Sequence, residues 1–278
     1  MYRGLFVFCV CGDAHVERVE LALRFLKRFS RAEVVVVLSR STYPLRHDQI
    51  LNVTVPAELS NHQASIYLKT LLPQLVGDGT VSCYLDSDQI ATSPRVDEIF
   101  DLYEPPVTFA PDHATIDQFS RYAVRCPCSS GTCLHLREAI RERFGIDIRN
   151  GDQRHWNGGL YLFDRRSREF AKAWHSNTML IFDDPYWRVR DQGTLIVTQR
   201  QLGLEQHAML PPTATRIVDR FYGYGESLRP SLKPADFFVD RSYRLGSADQ
   251  PAFLHFINDG LGCTGWANWD EIEVCVNA

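Results

Sequence analysis

No membrane-length apolar run, no basic excess and no glycine-rich phosphate loop occur in this sequence, and each absence removes a class of function. The longest apolar run near the start extends from Gly4 to Cys11, far short of the roughly 20 residues that span a bilayer. It is also too short for a secretory segment with its flanks, because Asp13, His15 and Glu17 follow directly. The expectation is a cytoplasmic or membrane-peripheral protein with no membrane span. Lys and Arg number 30 against 34 Asp and Glu, for a net charge of −4. The basic residues are dispersed and form no stripe of the kind that neutralises nucleic-acid phosphates, so no nucleic-acid partner is expected. The segment Cys11-Gly12-Asp13-Ala14-His15-Val16-Glu17-Arg18 has one glycine and no lysine, which excludes a Walker loop and a Gly-x-Gly-x-x-Gly turn there. Internal repeats, low-complexity tracts and linkers are also absent.

The composition that remains is ordinary for a soluble globular protein, with 45% hydrophobic and 23% charged residues over 278 positions. That length buries a sizeable core in one domain. The 8 cysteines, without a signal peptide, read as thiols or metal ligands before disulfides. Cys9, Cys11 and Cys83 lie in apolar runs and read as small core hydrophobes. Cys126-Pro127-Cys128 followed by Cys133-Leu134-His135 gathers three thiols and an imidazole within ten residues. Tetrahedral zinc uses these ligand types, although paired cysteines usually stand two residues apart; free thiols or an oxidisable pair are the other readings.

Apolar periodicity predicts an alternating α/β chain. Leu5 to Val10 reads as a strand. Val16, Val19, Leu21, Leu23, Phe25 and Leu26 then mark a helix with a basic opposite face. Glu33 to Leu38, with its four consecutive valines, reads as a buried parallel strand. Strand, helix, strand in this order implies a right-handed crossover and a parallel sheet. Ser60 and Asn61 are N-cap candidates for a helix through Leu75, stopped by Gly77 and Gly79. Val81 to Leu85 is the next strand. Arg95 to Leu102 is helix-competent, and Val107 to Ala110 is a strand ended by Pro111. Arg125 to Thr132 reads as a loop and Leu134 to Phe144 as a helix. Asn157-Gly158-Gly159 reads as a turn before a strand at Gly159 to Phe163. Helices follow from Ser167 and over Trp187 to Leu202, and short strands near His207 to Leu210, Ile217, Phe237 to Val239 and Phe253 to Phe256.

Asp86-Ser87-Asp88 directly follows the strand ending at Leu85. In open α/β sheets ligands bind beyond the carboxyl ends of the strands. Two carboxylates one residue apart can converge on one hard cation, Mg²⁺ or Mn²⁺, if the backbone turns there. Such a cation bridges a diphosphate and cancels its charge.

The segment from Asn61 to Asp101 resembles the region around the Asp-x-Asp motif of glycosyltransferase family 8, a family of GT-A-type nucleotide-diphospho-sugar transferases. His155 to Arg166, Arg190 to Val197 and Phe253 to Gly260 resemble later segments of that family, in the same order. The resemblance implies a Rossmann-like GT-A domain over residues 1–278, with a nucleotide-binding part (1–110) and an acceptor-shaping part (111–278). It implies transfer of a sugar from a nucleotide sugar, a UDP-sugar, to an acceptor, with retention of configuration. By resemblance Asp86, Asp88 and His255 hold Mn²⁺ or Mg²⁺, Lys69 is the cation beside the donor, and Asp13 faces the nucleoside. Asn157, Gly158 and Gly159 line the donor pocket, Asp191 binds donor-sugar hydroxyls, and Gln192 lies near the anomeric carbon. The family's lysine after the late His has no counterpart, since Asn258 to Trp266 contains none. A nucleotidyltransferase of related fold is the competing enzyme class, disfavoured by the missing glycine-rich basic loop. A non-catalytic sugar-nucleotide or glycan binder is the other alternative.

Overall fold

The computed structural model describes residues 4–76, 79–128, 131–219 and 251–257. The sequence expectations at Gly77, at Phe237 to Val239 and at Asn258 to Trp266 lie outside the described residues. The strands are β1 (Leu5–Cys11), β2 (Glu33–Ser39), β3 (Ile50–Asn52), β4 (Ser82–Leu85), β5 (Gln89–Ala91), β6 (Val107–Thr115), β7 (Arg154–Phe163), β8 (Thr215–Asp219) and β9 (Phe253–Ile257). The α-helices are α1 (Asp13–Phe29), α2 (Asn61–Leu75), α3 (Ile116–Ala123), α4 (His135–Phe144), α5 (Arg168–Leu180) and α6 (Arg190–Gln201).

The central sheet has six strands in the order β3-β2-β1-β4-β7-β6. β3, β2, β1 and β4 pair in parallel, and β7 runs antiparallel to both β4 and β6. Alternate residues of β1 point to opposite faces, as the period of two requires. Phe6, Phe8 and Val10 pack with Val16, Val19, Leu23 and Leu26 of α1. Val7, Cys9 and Cys11 pack on the other face with Ala64, Leu68 and Leu72 of α2 and Phe170 and Trp174 of α5. Both faces are covered, which is why β1 and β2 read as unbroken apolar runs.

A second sheet of three strands, β5-β9-β8, begins where the Asp86-Ser87-Asp88 segment ends. A third apolar cluster joins α3, α4 and α6 through Phe119, Leu136, Ile140, Trp187 and Ile196. Among the described residues no helix is long and apolar enough to cross a membrane.

Three elements differ from the sequence reading. β6 continues through Pro111 to Thr115. It lies at the sheet edge and pairs only with β7, with register shifts on either side of Ala110-Pro111. An edge strand tolerates a residue without an N–H, and a bulge absorbs the misfit. β7 starts at Arg154, so Asn157-Gly158-Gly159 sits inside a strand and not in a turn; pairing to β6 overrides the local turn preference. His207 to Leu210 forms no strand; it meets the sheet through the Leu210 N–H donated to Phe109 O at 2.9 Å and the His207 ring set edge-on to Trp156 of β7.

Candidate active site

The Asp86-Ser87-Asp88 segment is a turn between two sheets. β4 lies between β1 and β7, and its carboxyl end delivers Asp86 to the mouth of the sheet. The Asp86 N–H donates to Gly159 O of β7 at 2.9 Å, and the Gln89 N–H donates back to Asp86 O at 3.1 Å. This closes the turn and starts β5. β5 pairs antiparallel with β9, placing Gln89 opposite His255, while the Phe256 N–H donates to Asp88 O at 2.9 Å. Backbone ladders alone therefore bring His255 beside residues more than 160 positions earlier in the chain. Its Nε2 lies 3.2 Å from Asp88 Oδ1 and 3.9 Å from Asp86 Oδ2. One ligand atom from each of Asp86, Asp88 and His255 falls within 4.8 Å of the others.

Glycine at 159 makes that approach possible. A Cβ there would stand 2.2 Å from His255 Cε1, far inside van der Waals contact. At Gly158 a Cβ would meet Lys69 Nζ at 3.4 Å, an ordinary contact.

Lys69 comes from α2, whose entry is fixed by a capping box: the Gln63 N–H donates to Ser60 Oγ and the Ser60 N–H donates to Gln63 Oε1. The ammonium is buried and bridges two carboxylates, 2.9 Å from Asp191 Oδ2 and 3.3 Å from Asp86 Oδ1. Burial pulls the Lys69 pKa down, but Asp191 and Asp86 outweigh it and the net shift is upward. Burial likewise raises the Asp191 carboxyl, and Lys69 more than offsets this, so Asp191 is held below its ordinary value. Both groups are charged at neutral pH. Tyr84 OH donates to Asp86 Oδ1, fixing the second carboxylate.

Asp112, which sequence reasoning missed, organises the neighbouring wall. Its Oδ2 accepts from Asn157 Nδ2 at 2.9 Å and from Gln192 Nε2 at 2.6 Å. Asn157 Oδ1 in turn accepts the Gly159 N–H at 2.8 Å. Asp112 is buried, which raises its pKa, yet His155, His113 and the Ala114 N–H hold it well below the usual carboxylate range. A lone Asp behind a proline carries no sequence signal; only the pairing of β6 with β7 shows its place.

Lys69, Tyr84, Asp86, Asp88 and Asp191 border a cleft of about 340 Å³ that is also lined by His15 and Arg18 of α1 and His62 and Ser65 of α2, while His255, Asp112, Asn157 and Gln192 are not part of its lining. On α2 the sequence singles out Lys69, but it gives no signal for His62 or Ser65 on the same helix, nor for His15 and Arg18 of α1. A larger concavity of about 480 Å³ between Glu20, Lys27 and Arg46 contains no cluster of metal-ligating groups. Asp13 is engaged elsewhere. Its carboxylate accepts from Ser41 Oγ at 2.6 Å, Thr42 N at 2.9 Å and Tyr43 N at 3.1 Å. Those donors, Ser41 first, hold its carboxyl down to about 2, so Asp13 fastens the loop after β2. Cys126, Cys128, Cys133 and His135 gather away from this cleft, between α3 and α4.

No family model matches the sequence, and no curated protein matches it either. Solved structures do. The bifunctional glycosyltransferase WbbM in its apo form superposes with a TM-score of 0.58 at 16% identity, over 94% of this chain and 46% of that one. The chain thus spans under half the length of WbbM. The galactosyltransferase LgtC, solved with donor and acceptor sugar analogues, gives 0.57 at 14% identity over 98% of this chain and 95% of that one. Mouse xyloside xylosyltransferase 1 in its apo form gives 0.50 at 14% identity over 93% and 98%. At these identities the likeness is one of fold: the chain shares the mixed α/β fold of these glycosyltransferases.

Proposed function

We propose that this chain is a metal-dependent glycosyltransferase that moves a sugar from a nucleotide sugar, a UDP-sugar, to a hydroxyl-bearing acceptor. The observation that carries the reading is the convergence of Asp86, Asp88 and His255 at the carboxyl end of a central strand, beside the buried Lys69–Asp191 pair. Local sequence rules do not assemble that set; the fold does.

The residues fit a divalent cation. Asp88 Oδ1 is buried and, among the described residues, accepts no hydrogen bond, which is costly unless a ligand satisfies it. The neighbouring His255 Nε2 stands 3.2 Å from it. Two carboxylates and one imidazole form a mixed oxygen and nitrogen set that suits Mn²⁺ better than Mg²⁺. When bound, the ion supplies positive charge to the diphosphate and stabilises the departing nucleoside diphosphate.

The protein groups supply the rest. Lys69, held charged by two carboxylates, adds positive potential on the same side of the cleft. Arg18, His15 and His62 also line this cleft. Asp191 faces the cleft with one oxygen on Lys69, leaving the carboxylate capable of accepting sugar hydroxyls. Asp112 fixes the amides of Asn157 and Gln192, so that the wall is set before the donor arrives.

Retention of configuration is part of the reading. Inversion needs a carboxylate free to take the acceptor proton. Asp191 is ion-paired, Asp112 is saturated by donors, and Asp86 and Asp88 are the metal ligands. No described carboxylate in the cleft is left for that role, which supports front-face departure through an oxocarbenium-like state, the diphosphate oxygen taking the acceptor proton. A panel of nucleotide sugars assayed with Mn²⁺, Mg²⁺ or chelator, read by nucleoside diphosphate release and by the anomeric configuration of the product, tests the whole reading. Metal-independent release, or an inverted product, contradicts it.

A further inference from the structure

We propose that Cys126, Cys128, Cys133 and His135 form a structural zinc site that ties the α3–α4 connection together. Three of the residues come from the α3–α4 connection and His135 opens α4, and one ligand atom from each lies within 4.8 Å of every other. Cys126 Sγ and Cys133 Sγ are 3.8 Å apart, as are Cys128 Sγ and His135 Nδ1. Zinc–sulfur bonds of about 2.3 Å at tetrahedral angles put sulfur atoms about 3.8 Å apart. The Cys126–Cys133 separation is that of a tetrahedron's sulfur–sulfur edge, and far longer than the roughly 2.05 Å of a disulfide.

The surroundings match a structural site and not a catalytic one. Four protein ligands fill the coordination sphere and leave no open position for a substrate. Cys133 is buried while Cys126 and Cys128 are partly exposed, which gives the ion an entry path. A neighbouring group also serves the ligands. Ser120 Oγ of α3 accepts the Leu136 N–H at 2.9 Å and lies 3.1 Å from Cys133 Sγ. Its own hydroxyl proton is thus available to donate to a Cys133 thiolate, the form that binds metal. On binding, the three thiols release their protons and the imidazole stays neutral, so the site carries a net charge of −1.

Closing this loop has a consequence for the cleft. Val124 bridges Trp187, the Arg125 N–H donates to Tyr186 O at 2.8 Å, and the Arg188 N–H donates to Ala123 O at 2.8 Å. Residues 186–189 lead directly into α6, which opens with Asp191 and Gln192. Zinc would therefore brace the segment that presents those two side chains, without touching the donor.

The test is elemental analysis of the full chain purified from zinc-supplemented medium, with thermal melts before and after a strong chelator and thiol-specific release of metal. The expected result is about one zinc per chain, a lowered Tm on removal, and cobalt substitution giving the visible d–d bands of a tetrahedral thiolate site. Cys128→Ser and His135→Ala should lose the metal, whereas His135→Cys should keep it. Ser120→Ala should weaken zinc binding by about tenfold or more. Asp88→Asn should retain the full zinc complement, which separates this site from the proposed catalytic metal. Should His135→Ala fail to fold, the cobalt spectrum and zinc content of the wild type still decide. Zinc-free protein from zinc-replete cells with no tetrahedral cobalt spectrum, or a Cys126–Cys133 disulfide in native protein by mass spectrometry, overturns the proposal.

Discussion

Gly159 and His255 are fitted to each other so closely that one added methyl group would overlap the imidazole. A Cβ at 159 would lie 2.2 Å from His255 Cε1 and 2.9 Å from Asn157 Oδ1. Gly159→Ala should push His255 off the two carboxylates and weaken Mn²⁺ binding by about tenfold or more, as misplacing a ligand commonly does. Gly158→Ala, with its nearest contact at 3.4 Å, should change metal affinity by only a few-fold. Metal titration of both variants checks the contrast; equal effects would contradict it.

The Lys69–Asp191 pair spans 122 residues of sequence at 2.9 Å. Breaking it from one side leaves a buried charge uncompensated, which costs about 3–5 kcal/mol. Lys69→Met should therefore destabilise the fold strongly. Lys69→Met with Asp191→Leu should regain most of that stability, because replacing a buried pair by apolar groups is often neutral. The double variant should nonetheless transfer no sugar. Denaturant unfolding and activity on the same preparations separate the two effects.

Asp112 should matter more than its silence in sequence suggests. Asp112→Ala strands the amides of Asn157 and Gln192; the buried Asn157 donor left unpaired costs about 1–3 kcal/mol, and the half-buried Gln192 donor less. The expected outcome is a destabilised protein with a raised KM for the donor, measured by melting and by steady-state kinetics.

Asp13 predicts an acid-limb effect. Its carboxyl sits at about 2 against an ordinary 3.8. A depressed folded-state value means the stabilisation is complete above about pH 4 and is lost as pH falls towards 2. Asp13→Asn should flatten stability across that window and leave it unchanged in slope at neutral pH. Urea unfolding at several pH values checks this.

The sequence and structure agree where a signal is local. The apolar run into Asp86 and the N-cap at Ser60 both announce themselves within a few residues, and so do the buried strands β1 and β2. Legibility fails where position depends on a distant partner. Pro111 reads as a strand end until β6 is known to lie at the edge, and Asn157 reads as a turn until β6 is known to pair with its strand, β7. Asp112 shows no pattern because its role exists only across the β6–β7 ladder. His255 stands between these cases: family resemblance suggested it, while the β5–β9 register is what sets it opposite Gln89. Arg18 looks like a helix-surface charge, and His62 carries no signal, until the cleft they line is formed.

The most direct measurement is Mn²⁺-dependent release of nucleoside diphosphate by the wild type and by Asp88→Asn, on the donor that the panel selects. The account predicts a loss on the order of a hundredfold or more in Asp88→Asn, since charge stabilisation of the leaving group is removed. It also predicts an unchanged or slightly raised Tm, because clustered carboxylates repel each other in the metal-free protein. Full activity in Asp88→Asn, or in wild-type protein held in excess chelator, would contradict it.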